Sequence, residues 1–562
     1  MAGCSRENSV SWLRQMNLNM IDNFCSNESY KKLSNPWIVS LIGVLLAVGM
    51  TAIYLQNGPR IFDIWFFDET LYMSNGISIT GPNMSSHEWG PLYSLYYRLL
   101  NIHISDPVDL YLLGGVILLA ACALAIFSSL AILSRSIIFA LLATAIFIRS
   151  NALITWPRVS FAAIVILAVG LSLMSLLRSW FARSATLMLT SFLLTFIRPE
   201  FELAFYIFLI LTLTCAISEI HRAIRNGKYI DIFRSDVAIG VCAILTVLVL
   251  SVIWSFPLPR SGGRAFVAFS QHFSLRYVLE SKSALDPWWN HREIVEPFFP
   301  GAKSIGEALR IAPATFAHFL LANALDLPAR LYAYFRTALS IEEWRSLSER
   351  FMLAFLVAGL LTSVTEVFRN IRHPGNHVSF GNRAYITDGF FTLVLVVPPL
   401  LSCIVIYPRN HYIVLLFYLI LVCCALSLRY LRWNNSSLVA TILVGAGLII
   451  WTPVLRAVPQ PNVIDINSMR KIPDIKVMLE PDLGWCLYYL PHCKAVSLFK
   501  EGESFEKMLS DQNIDAIMMS PRLRGIEWLA RQPAFQELDA NPARFGFQAI
   551  PLPSGRILLV KQ

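Results

Sequence analysis

Hydrophobic residues occur in long uninterrupted runs along most of this chain. Stretches without a charged residue, such as 110–133 and 237–254, are near or above the about 18 residues that cross a hydrocarbon core. With shorter runs included, the pattern predicts about eleven transmembrane helices. They are placed at 37–55, 110–132, 136–149, 159–177, 184–197, 201–219, 237–254, 350–366, 389–406, 411–428 and 436–451. The runs at 136, 184 and 436 are short enough to be re-entrant or tilted.

The C-terminal part of the chain follows a different pattern. "AVSLF", "IDAIMM" and "RILLV" predict short strands, helical stretches are expected near 503–512 and 524–532, and "PSG" at 553–555 predicts a hairpin turn. The sequence therefore predicts an α-helical polytopic membrane protein with a small C-terminal α/β domain. Its parts are a cytoplasmic segment 1–36 with an amphipathic helix, a membrane domain 37–454 with external loops 56–109 and 255–349, and an extracytoplasmic domain 455–562.

Charge fixes the expected orientation in the membrane. Only 15% of the residues are charged, against roughly 25% in soluble domains. Lys and Arg cluster at alternate span ends, which places the N-terminus in the cytoplasm and the C-terminal domain outside an inner or plasma membrane. The net charge of +9 is explained by these anchors and by anionic lipid, so no nucleic-acid partner is expected.

Three features of the predicted external parts are described in more detail. The first loop is expected to hold two interfacial helices, one from about Asp68 that stops at Gly76 and one that starts at Pro91. The second helix has an apolar face of Leu92, Tyr96, Leu99 and Leu100. Cys486 and Cys493 lie in the external domain, where oxidising conditions permit a disulfide. The aromatic residues of "DPWWNHRE" are typical of an interfacial belt.

Ionisable residues that are predicted to lie on the external face are the candidates for catalytic and substrate-binding roles. The arginines among them lie in short external turns, against the positive-inside bias. A guanidinium offers a fork of donors suited to phosphate oxygens, and a carboxylate accepts a proton, so these residues predict a phosphate-bearing lipid partner and a general base. The acids Asp68 and Glu69 are the catalytic candidates, and the substrate-binding candidates are His87, Glu88, Arg158, Arg198, Glu200, Arg409 and His411.

The order of these motifs resembles a known superfamily. An Asp-Glu pair in the first loop, a "GPLY" segment, an "RPE" turn and a late "YPR" turn are similar to the GT-C glycosyltransferases. The likeness is to bacterial relatives of protein O-mannosyltransferases and lipid A aminoarabinose transferases. It implies transfer of a sugar from a polyprenyl-phosphate donor to a glycan, lipid or protein outside the cytoplasm, usually with inversion.

The resemblance also implies residue roles. Asp68 matches the catalytic carboxylate, and Arg198 and Arg409 offset the charge on the departing phosphate. Some members use a divalent metal ion such as Mg²⁺ or Mn²⁺ and others use none, and this sequence leaves both open.

Other interpretations of the same residues remain open. An acidic pair also suits the start of a helix, a lone arginine often reaches to lipid headgroups, and His87 and His411 are typical of hydrogen-bonded surface histidines. A transporter or flippase for a lipid-linked glycan would bind phosphate with the same arginines. Such a protein is expected to carry midplane charges or two related halves, and the sequence shows neither. An oligosaccharide ligase or polymerase is the third hypothesis.

Overall fold

The computed structural model describes most of the membrane domain and the C-terminal domain. The described residues are 36–79, 90–225, 235–254, 256, 264–283, 285–339, 380–430, 438–472, 475–480, 484–489, 493–496 and 504–562. The predicted N-terminal amphipathic helix, the predicted span at 350–366, and the candidates His87 and Glu88 lie outside them.

The described part of the first two thirds of the chain is helical. In chain order the helices are α1 (Pro36–Tyr54), α2 (Asp68–Ser78), α3 (Pro91–Asn101), α4 (Pro107–Ser134), α5 (Ile137–Arg149), α6 (Val159–Leu176), α7 (Trp180–Thr195), α8 (Glu202–Arg225), α9 (Ser235–Ile253), α10 (Arg264–Ser281), α11 (His291–Val295), α12 (Ile305–Ile311) and α13 (Pro313–Leu339). Beyond the gap follow α14 (Phe380–Val405), α15 (Asn410–Tyr430), α16 (Leu438–Trp451) and α17 (Pro461–Met469).

Among the described helices, seven are long and apolar enough to cross a membrane, namely α1, α4, α6, α8, α9, α14 and α15. An eighth is added if α12 and α13, which meet at a bend of 118°, form one span. Every predicted span within the described residues is helical. The three runs that the sequence marks as short are α5, α7 and α16, with 13, 16 and 14 residues. The chain is a multi-pass membrane protein.

Successive spans run in opposite directions, so the segments that connect them lie at the two ends of the helix bundle. We call the end at which α1 and α7 finish and α15 begins the loop end. Arg198 follows α7 there, whereas Arg183 lies in the first turn of α7 at the other end, where it pairs with Asp388 at 2.8 Å. The most enclosed span is α15, which packs against α4, α6 and α14.

The helices of the first loop cross closely. The predicted end of α2 at Gly76 is wrong, because the helix continues to Ser78. A Cβ atom on Gly76 would lie 2.3 Å from the carbonyl oxygen of Ser94 in α3, so this glycine permits the crossing instead of ending the helix. The start of α3 at Pro91 is as predicted, but Leu99 is exposed, and the deeply buried positions include Tyr93 and Ser94.

The C-terminal domain is built on a five-stranded sheet with the order β2-β1-β3-β5-β4. The strands are β1 (Val477–Leu479), β2 (Lys494–Val496), β3 (Ala516–Met519), β4 (Phe547–Pro551) and β5 (Ile557–Lys561). The short helices α18 (Trp485–Tyr489), α19 (Phe505–Asp511), α20 (Pro521–Arg524), α21 (Glu527–Ala530) and α22 (Pro533–Ala540) connect them. β1 is parallel to β2 and β3, while β5 is antiparallel to β3 and β4. Sequence patterns predicted strands that overlap β2, β3 and β5 and the turn at 553–555, which joins β4 to β5, and they missed β1 and β4.

The C-terminal domain packs on the first loop at the loop end. The ring of Trp485 lies 4.3 Å from that of Phe66, and the hydroxyls of Tyr488 and Thr70 are 2.9 Å apart. Cys486, in the same short helix α18, is bonded to Cys493 with the two Cα atoms 5.3 Å apart. The C-terminal domain therefore packs against the residues around the start of α2 and stabilises their position.

The predicted orientation is tested by reporters fused after Gln562. A reporter that works only outside the cytoplasm is expected to be active there, and a cytoplasm-only reporter inactive, because the Lys and Arg distribution places this end outside. Insertion of the same reporters into the 226–234 linker, which carries Lys228 and Arg234, is the matched control and should give the opposite pair of signals. Cytoplasmic activity after Gln562 would overturn the external placement of every site residue.

Candidate active site

The acidic pair of the first loop stands at the beginning of α2. Phe67, immediately before it, has φ 78°, a backbone conformation that a bulky side chain rarely adopts. Such strain persists only where the surroundings over-determine it, and it is common at functional sites. The backbone N–H of Leu71 donates to the Phe67 carbonyl at 2.8 Å, which closes the first helical turn. The Asp68 side chain is half-buried, whereas Glu69 is fully buried.

Glu69 is enclosed by hydrogen-bond donors from distant parts of the chain. Its Oε1 accepts from the hydroxyls of Tyr93 and Tyr97, the latter at 2.5 Å. Its Oε2 accepts from the backbone N–H of Arg158 at 2.9 Å. Both carboxylate oxygens are therefore engaged, and the residue joins α2 to α3 and to the turn before α6.

Arg158 lies in that turn with its guanidinium held by aromatic rings. The guanidinium carbon is 4.1 Å from the centre of the Phe62 ring and 4.4 Å from that of Tyr111. Its Nη1 donates to the Tyr111 carbonyl at 2.9 Å. A Cβ atom on Gly115 would lie 2.2 Å from Nη1, so α4 approaches the guanidinium through a glycine. The arginine is positioned by cation–π contacts and a hydrogen bond rather than by lipid headgroups.

Arg409 ends the "YPR" turn between α14 and α15. Burial lowers the pKa of its guanidinium, and the carboxylate of Asp68 is the first of the groups that oppose this shift. Its Nη1 lies 3.4 Å from Nε2 of His272, and its guanidinium carbon is 4.9 Å from the Trp288 ring centre. The charge of the predicted base therefore acts on a residue predicted to bind phosphate.

In the "RPE" turn after α7, the side chains of Arg198 and Glu200 form an ion pair. Nη2 of Arg198 is 2.7 Å from Oε1 of Glu200, and the guanidinium carbon is 4.3 Å from the Tyr412 ring centre. The charge of Arg198 also acts on Arg409, so the two turns are neighbours. His411 is buried beside them, and its carbonyl accepts from the Ser160 hydroxyl at 2.6 Å.

A cavity of about 1190 Å³ opens at the loop end. Four arginines line it, Arg158, Arg330, Arg409 and Arg456, together with aromatic residues that include Trp65, Trp156 and Tyr334. Among its described lining residues, Asp63 is the one acid. Its two carboxylate oxygens accept the backbone N–H groups of residues 462 and 463, at 3.1 and 3.2 Å, and burial raises its pKa. With one engaged acid against four guanidinium groups, the cavity favours an anionic ligand.

Four residues of this region were missed by the sequence analysis. Arg330 and Arg456 line the cavity, while His272 and Trp288 contact Arg409. The signal for Arg330 was available, because an arginine in a predicted external segment runs against the positive-inside bias as Arg158 does.

The described residues contain no group of three or more His, Cys, Asp or Glu side chains placed to hold a metal ion.

No family profile and no curated protein sequence matches the chain. Among solved structures, it is similar to ArnT from Cupriavidus metallidurans in a crystal structure bound to undecaprenyl phosphate. The match covers 93% of this chain and 97% of that chain, with 10% sequence identity and a TM-score of 0.35. At this identity and TM-score the match assigns no residue roles, which depend on the contacts within this chain.

Proposed function

We propose that this protein is a membrane glycosyltransferase that moves a sugar from a polyprenyl-phosphate carrier to an acceptor outside the cytoplasm. The observation that carries the proposal is the cavity lined by four arginines, whose member Arg409 interacts with the half-buried Asp68. A cavity of about 1190 Å³ has room for a sugar phosphate headgroup, since drug-sized ligands occupy roughly 300–1,000 Å³. The acceptor is a cell-envelope glycan, a lipid or a protein.

The proposed reaction uses the negative charge of the Asp68 carboxylate and the positive charge of the Arg409 guanidinium. The acceptor hydroxyl oxygen attacks the anomeric carbon while Asp68 takes its proton. The bond between that carbon and the phosphate oxygen breaks, and its electron pair leaves with the lipid phosphate. Arg409 donates to the phosphate oxygens and stabilises the charge that develops on them. Attack opposite to the leaving group inverts the anomeric configuration.

The remaining candidates take supporting roles in this proposal. Glu69 uses both carboxylate oxygens within the protein, so it acts as a positioning residue that holds α2 against Arg158. Arg158 supplies a fixed positive charge in the cavity wall. Arg198 is paired with Glu200, so its contribution is to the potential around Arg409 rather than a direct phosphate contact.

Replacing Arg409 by Ala is expected to weaken binding of the lipid donor about thirtyfold, the effect of losing roughly 2 kcal/mol from charge-assisted hydrogen bonds. Transfer should fall in parallel, because the contact exists both before and during bond cleavage. Affinity for undecaprenyl phosphate, measured with the protein in nanodiscs, provides the first readout. Mass spectrometry of envelope glycans from a deletion strain complemented with each variant provides the second.

Arg310→Ala is the matched control for this experiment. Arg310 is an exposed arginine in the last turn of α12, in the second external segment, and does not line the cavity. Its loss should change neither affinity nor glycans. If the Arg409→Ala protein bound undecaprenyl phosphate like the parent, the phosphate contact would be wrong, and unchanged glycans in the deletion strain would remove the transferase proposal itself.

A further inference from the structure

We propose that His272 is a positioning residue that fixes the guanidinium of Arg409 for the lipid phosphate. The inference rests on the proposed function, and it adds a residue that no sequence motif marked. His272 lies in α10, within the second external segment, 137 positions away from Arg409 in the chain.

The hydrogen bonds of His272 determine which ring nitrogen carries the proton. Nδ1 lies 2.6 Å from the carbonyl oxygen of Ala268, which only accepts, so Nδ1 is the donor. In a neutral imidazole the other nitrogen then presents a lone pair. Nε2 therefore accepts from Nη1 of Arg409 across 3.4 Å, a long hydrogen bond that orients the guanidinium.

The surroundings keep this imidazole neutral and fixed. His272 is buried between Trp288, whose ring meets its edge at 5.5 Å, and Tyr407, whose ring stacks on it at 6.0 Å. Burial and the nearby charge of Arg409 lower the pKa of His272 to about 3. A neutral acceptor next to the guanidinium adds no repulsion, whereas an imidazolium would.

The turn that carries Arg409 is also held from the other side. Nη2 of Arg330, in α13, donates to the Tyr407 hydroxyl at 2.7 Å, and the backbone N–H of Arg409 lies 2.8 Å from the Tyr407 carbonyl oxygen. Two helices of the second external segment thus fix the "YPR" turn, one through the Tyr407 side chain and one through the Arg409 guanidinium. Holding a ligand-binding side chain in place before the ligand arrives lowers the ordering cost of binding.

His272→Phe tests the inference with little change in shape. Phenylalanine keeps an aromatic ring between Trp288 and Tyr407 but has no acceptor for Arg409. Affinity for undecaprenyl phosphate in nanodiscs should fall about fivefold, the size expected for one ordinary hydrogen bond, because the contact between Nε2 and Arg409 is long. His272→Gln places a carbonyl oxygen near the position of Nε2 and should recover most of the affinity. The thermal unfolding temperature should stay within the parent range.

A double-mutant cycle separates positioning from a general packing effect. In the Arg409→Ala protein, adding His272→Phe should cause no further loss, because the group that His272 orients is gone. His318→Phe, at an exposed position in α13, is the matched control and should bind like the parent. Parent-like binding by His272→Phe, or losses that multiply in the double variant, would overturn the inference and leave the proposed function intact. Parent-like binding by Arg409→Ala alone would instead remove the phosphate contact, and the inference with it.

Discussion

The Asp68→Asn protein is expected to bind the lipid donor normally and to transfer sugar at least about a hundredfold more slowly. Asparagine preserves the size and most of the hydrogen bonding of the side chain but does not take a proton. In this protein the carboxylate lies at the start of α2 and interacts with Arg409. The arginines, and not this carboxylate, bind the donor phosphate in the proposed reaction, so donor binding should survive the neutralisation of Asp68. Initial rates at saturating donor, with undecaprenyl phosphate affinity measured on the same preparation, check both halves of the prediction.

Asp109→Asn is a suitable control for this change. Asp109 is an exposed aspartate in the first turn of α4, near the same end of the bundle. Neither aspartate lines the cavity, but Asp68 is half-buried and its charge acts on Arg409. Neutralising it should leave rate and affinity unchanged. A folded Asp68→Asn protein that transferred sugar at the parent rate would exclude Asp68 as the base, and Glu69 or Glu88 would be the next candidate.

The parts of this fold that sequence predicts are those encoded locally. A spanning helix needs only a long enough apolar run, and every predicted span in the described part of the chain is helical. The α13 helix was not predicted, because Arg330, Arg336 and Asp326 interrupt its apolar positions and remove the signal of a continuous run. Gly76 was taken as a helix end because its role depends on Ser94, in a helix that only the tertiary structure brings alongside.

In the candidate site, too, local sequence signals revealed some residues, whereas other contacts depend on the tertiary structure. Arg158, Arg198 and Arg409 were found because each is an arginine in a short external turn, against the positive-inside bias, a property that sequence shows directly. Asp68 was found as an external carboxylate in a motif that resembles the GT-C glycosyltransferases. The burial of Glu69 was not predictable, since its donors are 24, 28 and 89 positions away. The contact between His272 and Arg409 spans 137 positions and leaves no local pattern.

Glu69→Gln is expected to destabilise the protein by about 3 kcal/mol, because it neutralises a buried, hydrogen-bonded carboxylate and leaves donors of its pocket facing another donor. The residue is fully buried, and its charge lies among the groups that interact with the buried guanidinium of Arg158. Glutamine also replaces one of two engaged oxygens by a donor. That donor faces either the Arg158 N–H or the hydroxyls of Tyr93 and Tyr97, which now donate to the carboxylate.

The loss should appear as a lower thermal unfolding temperature in detergent, followed by tryptophan fluorescence. Glu202→Gln is the matched control, because Glu202 also accepts from a tyrosine hydroxyl, that of Tyr206 at 3.1 Å, but at a half-buried position in the first turn of α8 where this hydrogen bond is exposed. A surface substitution of this kind typically changes stability by no more than about 0.5 kcal/mol. If Glu69→Gln unfolded at the parent temperature while transfer was lost, Glu69 would not be the positioning residue proposed here, and its carboxylate would have to act in the reaction itself.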